Sequence, residues 1–113
     1  MNLKKETMRI MKEHHKTPRD IIWVGCRDFQ IPIDQFWKLA DVEYNNSFGS
    51  PKVAQDLVVV GEDWYLQRND YDGSEWWEFC TVPEKPITTR AVSSLVCTPP
   101  KIGWECLSKF VEE

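Results

Sequence analysis

The segment Asn69-Asp70-Tyr71-Asp72-Gly73-Ser74-Glu75-Trp76-Trp77-Glu78-Phe79 constrains the fold more than any other part of the chain. An Asp-Gly pair between aromatic-rich, apolar runs is a strong short-range sign of a β-hairpin. Side chains alternate across a strand, so Trp76 and Trp77 cannot both enter the same core. Upstream, Leu57-Val58-Val59-Val60 is a continuous β-branched run that reads as a central strand covered on both faces. Gly61-Glu62-Asp63 is a turn, and Trp64-Tyr65-Leu66-Gln67-Arg68 is the next strand. Three strands joined by short turns make an antiparallel meander.

Parity then assigns faces. Trp64 and Leu66 share one face of their strand, and Trp77, Phe79 and Thr81 share one face of the next. The arrangement with least strain places Trp64, Leu66, Trp77 and Phe79 in the core. It turns Tyr65, Trp76 and Glu78 outward and predicts an indole exposed beside Glu75 and Glu78. Tryptophan is over-represented among binding hot spots, so such an indole is a candidate anchor for a partner.

The flanking segments supply helices. Ile33, Phe36, Trp37 and Ala40 fall at i, i+3, i+4 and i+7, and Pro32 and Asp34 suit a helix start, which predicts a helix over 33–43 that covers the core. Leu3, Thr7, Ile10, Met11 and His14 give a weaker stripe over 3–15, ended by Thr17-Pro18. Ile21–Cys26 reads as the first strand, and Ser50-Pro51 as the start of a short helical turn through Gln55. Residues 87–98 are β-compatible, Pro99-Pro100 breaks the chain, and Trp104, Leu107, Phe110 and Val111 form a terminal helix face. At 113 residues the chain suits one domain. It divides into a basic helical arm (1–18), an α+β core (19–98) and a C-terminal helix (99–113). The fold expected is α+β: an antiparallel meander of three to five strands packed on one amphipathic helix, with an N-terminal and a short C-terminal helix.

Charge is distributed unevenly. Residues 1–20 carry six basic side chains against Glu6, Glu13 and Asp20, a balance of +3. Residues 41–84 carry ten acidic side chains against Lys52 and Arg68, a balance of −8. A single-sign field of that size repels nucleic acid and attracts basic surfaces. With 42% apolar and 28% charged residues, no apolar run near the roughly 18 residues that span a bilayer, and no secretory h-region, the expected setting is the cytoplasm. Cys26, Cys80, Cys97 and Cys106 lack the close pairing of zinc ligands and read as buried free thiols, and no metal or cofactor is expected.

Catalytic patterns are weak. Asp70, Asp72, Glu75, Glu62 and Asp63 are numerous enough for paired-carboxylate hydrolysis or sugar binding beside aromatics, but acidic residues in turns are usually turn formers. The EF-hand pattern fails at its glycine and at position twelve, and there is no phosphate loop, dinucleotide fingerprint or nucleophile elbow. The reading favoured is a non-enzymatic protein-binding module acting through Tyr65, Asp70, Asp72, Glu75, Trp76 and Glu78 on a basic partner surface. A small hydrolase or carbohydrate-binding module, and a phage structural or assembly component, are the alternatives.

The block Phe48–Gly61, followed by Trp64-Tyr65-Leu66 and by Tyr71-Asp72-Gly73-Ser74-Glu75-Trp76-Trp77-Glu78-Phe79, resembles small acidic proteins encoded by phages and prophages of Gram-positive bacteria. The similar region runs from about Asp20 to Pro86. No activity is assigned to that group, so the resemblance implies a setting rather than site residues: an accessory gene on a mobile element. By analogy with other small phage proteins, it implies a role in binding or inhibiting host machinery such as a CRISPR effector.

Overall fold

The computed structural model describes residues 1–97 and 103–112. The chain forms two compact units, Met1–Val82 and Pro83–Glu113. The first holds helices α1 (Leu3–Glu13) and α2 (Ile33–Ala40) and strands β1 (Trp23–Gly25), β2 (Gln30–Ile31), β3 (Val58–Val60), β4 (Trp64–Tyr71) and β5 (Ser74–Thr81). The strands make an open antiparallel sheet in the order β2-β1-β3-β4-β5, so the fold is α+β with a largely meander-like sheet.

The β4–β5 hairpin turns at Asp72-Gly73. Both residues have positive φ, 49° and 87°, and Tyr71 pairs with Ser74 across the turn. This is the two-residue turn whose backbone twist matches that of the strands, and glycine adopts its conformation without steric cost. At the other end, Gly61 has no side chain for a packing reason. A Cβ there would overlap the Trp64 indole, which is 2% exposed.

The core lies on one face of the sheet. Val24, Val59 and Leu66 line it with no exposure, together with Trp64 and Trp77. Both helices pack on this face. Helix α1 brings Leu3 and Met11, and α2 brings Phe36 and Ala40, with Trp37 partly buried at the margin. His14, at the end of α1, stacks on Phe79 at 3.9 Å, and Phe79 stacks in turn on Trp64. The basic N-terminal segment therefore does not project as an arm; its helix is a wall of the core.

Several boundaries differ from the sequence expectation. Helix α2 stops at Ala40 because the chain beyond it pairs with the start of α1. Leu3 N–H donates to the Val42 carbonyl and Tyr44 N–H to that of Met1. The first of these satisfies one of the backbone donors that a helix N-terminus leaves open. No helical turn forms over 50–55, where the backbone is instead drawn to Glu75. Strand β3 is covered fully on one face only: Val59 is buried, whereas Val58 and Val60 are half-buried. Of the four free thiols, Cys26 is buried, Cys80 and Cys97 are half-buried and Cys106 is exposed.

In the second unit, the β-compatible run over 87–98 forms no strand among its described residues. It contributes one antiparallel bridge, Val92 to Val111, flanked by hydrogen bonds from Ser93 N–H to Phe110 and from Glu112 N–H to Ala91. The expected terminal helix is a single 3-10 turn, Leu107–Phe110. The Pro99-Pro100 break lies outside the described residues. Among the described residues, no helix is long and apolar enough to cross a membrane.

Candidate functional site

The register of the hairpin sorts the expected site residues onto two faces. Arg68 lies opposite Trp77 and Asp70 opposite Glu75, on the face that carries the core. Tyr65 lies opposite Cys80, Gln67 opposite Glu78, and Asn69 opposite Trp76, on the outer face. Trp77 is 3% exposed and Trp76 is 38% exposed, so the tandem indoles part as alternation requires.

Glu75 is a correction. It was expected beside Trp76 at the surface, but it is 4% exposed and turned inward. The reason is parity: 75, 77 and 79 share a face, so an inward Trp77 carries Glu75 in with it. There its carboxylate accepts hydrogen bonds from the Arg68 guanidinium at 2.8 Å and from the backbone N–H groups of Lys52 and Val53. Burial pushes the Glu75 carboxyl up, but the two backbone donors and Arg68 outweigh it and hold it below the ordinary carboxylate range. The residue is a latch that ties the 45–53 loop to the hairpin, and Glu75 N–H adds a bond to the Asn46 carbonyl.

Arg68 is shared. Its Nη1 donates to Glu6 Oε2 at 3.1 Å, and its Nη2 also donates to the Tyr44 hydroxyl. Glu6 in turn accepts from the Tyr44 hydroxyl and, at 3.2 Å, from Trp77 N–H, which β5 presents at the sheet edge. Beside it, Trp77 Nε1 donates to Thr7 Oγ1 at 2.8 Å, and that hydroxyl donates to the Leu3 carbonyl. The guanidinium lies 4.8 Å from the Trp77 ring centroid, within cation–π range. Burial alone would lower the Arg68 pKa; the bonds to Tyr44 and Glu75 and the charge of Glu6 raise it instead. The Tyr44 phenol is pushed from 10 to about 12, by burial first and then by its bond to Glu6. Arg68 Nε has no hydrogen-bond partner among the described residues. Glu6, Tyr44 and Arg68 were not singled out from the sequence. Glu6 stands three residues after Leu3 and one before Thr7, on the buried stripe of α1, and that position was the available signal.

Arg68, Asn69, Asp70, Glu75 and Val53 line a cleft of about 430 Å³. Its volume is in the range of small-ligand sites, but Glu75 does not suit the acid role in paired-carboxylate hydrolysis. Such a reaction needs one carboxyl with a raised pKa to act as acid. Glu75 is shifted the other way, with both oxygens engaged. Trp76, the aromatic expected to accompany the carboxylates, lies on the opposite face of β5.

The other expected site residues stay accessible. Asp70 and Asp72 are exposed at the hairpin tip and flank Tyr71, which is 77% exposed. On the outer face, Asn69 Nδ2 donates to Glu78 Oε2 at 2.9 Å, next to the Trp76 indole. Tyr65 is half-buried, and its phenol is shifted up, chiefly by a hydrogen bond with the Cys80 thiol. No protein-family model matches the chain, and no curated protein or solved structure is similar enough to match it.

Proposed function

We propose that the protein is a non-enzymatic binding module that docks a basic protein surface onto the outer face and tip of the β4–β5 hairpin. The contact residues are Tyr65, Asp70, Asp72, Trp76 and Glu78; Glu75 leaves the set because its carboxylate is consumed inside the fold. The observation that carries this reading is the division of the tandem indoles. Trp76 stands 38% exposed beside a carboxylate while both helices pack on the opposite face of the sheet. An exposed indole offers a large rigid contact, and the surrounding negative charge selects and steers a cationic partner. The resemblance to small acidic phage and prophage proteins supports a particular form of this function. In that form the protein is an accessory factor in the bacterial cytoplasm that occupies a basic surface of host machinery, such as the nucleic-acid groove of a CRISPR effector.

The test is capture by the immobilised protein from lysate of a bacterial host. Wild type is expected to retain a basic protein at low salt and release it as salt rises. A Trp76→Ala, Glu78→Lys double variant, with its fold checked by urea unfolding, is expected to lose it. Equal capture by the folded double variant refutes the surface.

A further inference from the structure

The exposed side of α1 and the turn after it form a second surface of opposite character. Met8, Met11 and Pro18 give it an apolar floor, Arg9, Lys12 and Lys16 line it with positive charge, and the groove encloses about 390 Å³. That volume is at the low end of the roughly 300–1,000 Å³ typical of ligand sites, and suits one large side chain. Met8, although apolar, is 41% exposed in it. The acidic neighbours are Glu13 on α1 and Asp63, which lies 4.0 Å from Lys16 at the groove margin. Among the described residues, Arg9 and Lys12 form no salt bridge, and both are exposed.

The hairpin tip is the chemical complement of this groove. Tyr71 projects from it with 77% of its surface exposed, between the exposed carboxylates of Asp70 and Asp72. A phenol ring matches the apolar floor, and Asp72 beside it, with Asp70 on the inner face of the same tip, brings negative charge toward the cations around it. The Lys16 end of the groove lies far from the tip of the same molecule. Lys16 sits beside Asp63, immediately before β4, whereas Tyr71 ends that strand. Eight extended residues at about 3.3 Å each separate the two ends by roughly 25 Å. A tip seated over the Lys16 and Pro18 end of such a groove therefore comes from another molecule.

We propose that the protein self-associates head to tail, the Asp70-Tyr71-Asp72 tip of one copy seated in the Met8–Lys12–Pro18 groove of the next. This rests on the acidic-aromatic reading of the hairpin and names a second copy of the chain as one of its basic partners. The contact is heterologous, so it generates rings or open chains rather than a two-fold dimer. It is small and charged, so it is transient and weakens with salt.

The experiment uses the purified full chain alone, by sedimentation velocity over a range of concentrations at ~50 mM and ~500 mM salt. The mass is expected to rise with concentration at low salt and to fall to that of a monomer at high salt. Two variants separate the halves of the contact: Arg9→Glu with Lys12→Glu removes the groove, and Asp70→Lys with Tyr71→Ala removes the tip. All four positions are exposed, and urea unfolding checks that both variants fold. Each variant alone is expected to be monomeric. An equimolar mixture is expected to form a species of twice the monomer mass, because one intact tip then faces one intact groove. A wild type that stays monomeric at low salt overturns the proposal. So does an assembly that survives in either variant, or a mixture that stays monomeric. If wild type stays monomeric yet binds anionic vesicles through Arg9 and Lys12, the groove belongs to lipid and the proposal is likewise overturned. Because no partner protein is present, failure here is distinct from failure of the capture experiment, which turns on Trp76 and Glu78.

Discussion

On the inner face of the β4–β5 hairpin, the Arg68 and Glu75 side chains are 5% and 3% exposed, and Arg68 makes charge-assisted bonds to both Glu75 and Glu6. On the outer face of the same two strands, Asn69 and Glu78 share one bond at 2.9 Å, and the Trp76 indole stands open beside them. Both faces combine a carboxylate, a nitrogen donor and an indole. What separates them is saturation. A buried charge must be paired and hydrogen-bonded, because water no longer solvates it. The inner carboxylates have spent their acceptor capacity on Arg68, Tyr44 and three backbone N–H groups. The outer carboxylate remains available. Similar residue types thus hold the fold together on one side and stay free for recognition on the other.

The sharpest way to break this comparison is to remove the cation that the inner carboxylates share. Arg68→Met leaves Glu6 and Glu75 buried without their common partner, and is expected to cost about 3–5 kcal/mol, read from urea unfolding. For a domain whose whole stability is of the order of 5–15 kcal/mol, that is a large part of the total. Neutralising the stranded groups as well, in a Glu6→Gln, Arg68→Met, Glu75→Gln triple variant, is expected to recover part of the loss. A cost below about 1 kcal/mol for Arg68→Met would place the network in the class of surface ion pairs, and the two faces would no longer differ in kind.

Titration sharpens the same contrast. Glu75 has a folded pKa below its unfolded value, so near the ordinary carboxylate pKa the unfolded chain binds more protons than the folded one. Its contribution is present in full above the unfolded pKa and is lost as pH falls through the folded one. Tyr44 behaves in the opposite sense. Its pKa is raised to about 12, so its contribution holds below 10 and is lost as pH climbs from 10 through 12. The urea midpoint is therefore expected to drop at both ends of the scale. Glu75→Gln should flatten the acid limb and Tyr44→Phe the alkaline one. An acid limb unchanged in folded Glu75→Gln would sink the assignment of a latch to this carboxylate.

The sheet was legible in the sequence because alternation has only two answers and the tandem tryptophans force one of them. Once Trp77 was placed inside, Trp64, Leu66 and Phe79 followed, and so did the outward Trp76. The same rule already placed Glu75 inside, two residues from Trp77. Composition argued the other way, since a carboxylate among acidic turn residues reads as solvated. What the sequence could not supply was its partners. The Lys52 and Val53 backbone donors are 23 and 22 residues away, and Glu6, which shares Arg68 with it, is 69 away. A buried carboxylate becomes credible only once those donors are seen to converge. The second unit was illegible for a different reason. Val92 and Val111 make one bridge with no repeating pattern on either side to announce it.

The smallest effect is expected where the comparison predicts near-independence of fold and function. Trp76→Ala removes an indole that lies outside the core, opposite Asn69, and loses a cross-strand neighbour of the kind that contributes roughly 0.2–1 kcal/mol. Urea unfolding should register a change of no more than about 1 kcal/mol, close to that of ordinary surface substitutions. The same variant should lose most of its capture of a basic partner, because hot-spot energy resides in the free side chain and not in the fold. A cost near the 3–5 kcal/mol of a core tryptophan would mean that the outer indole is structural after all. The two rings would then serve one purpose, and the hairpin would have no face left over for a partner.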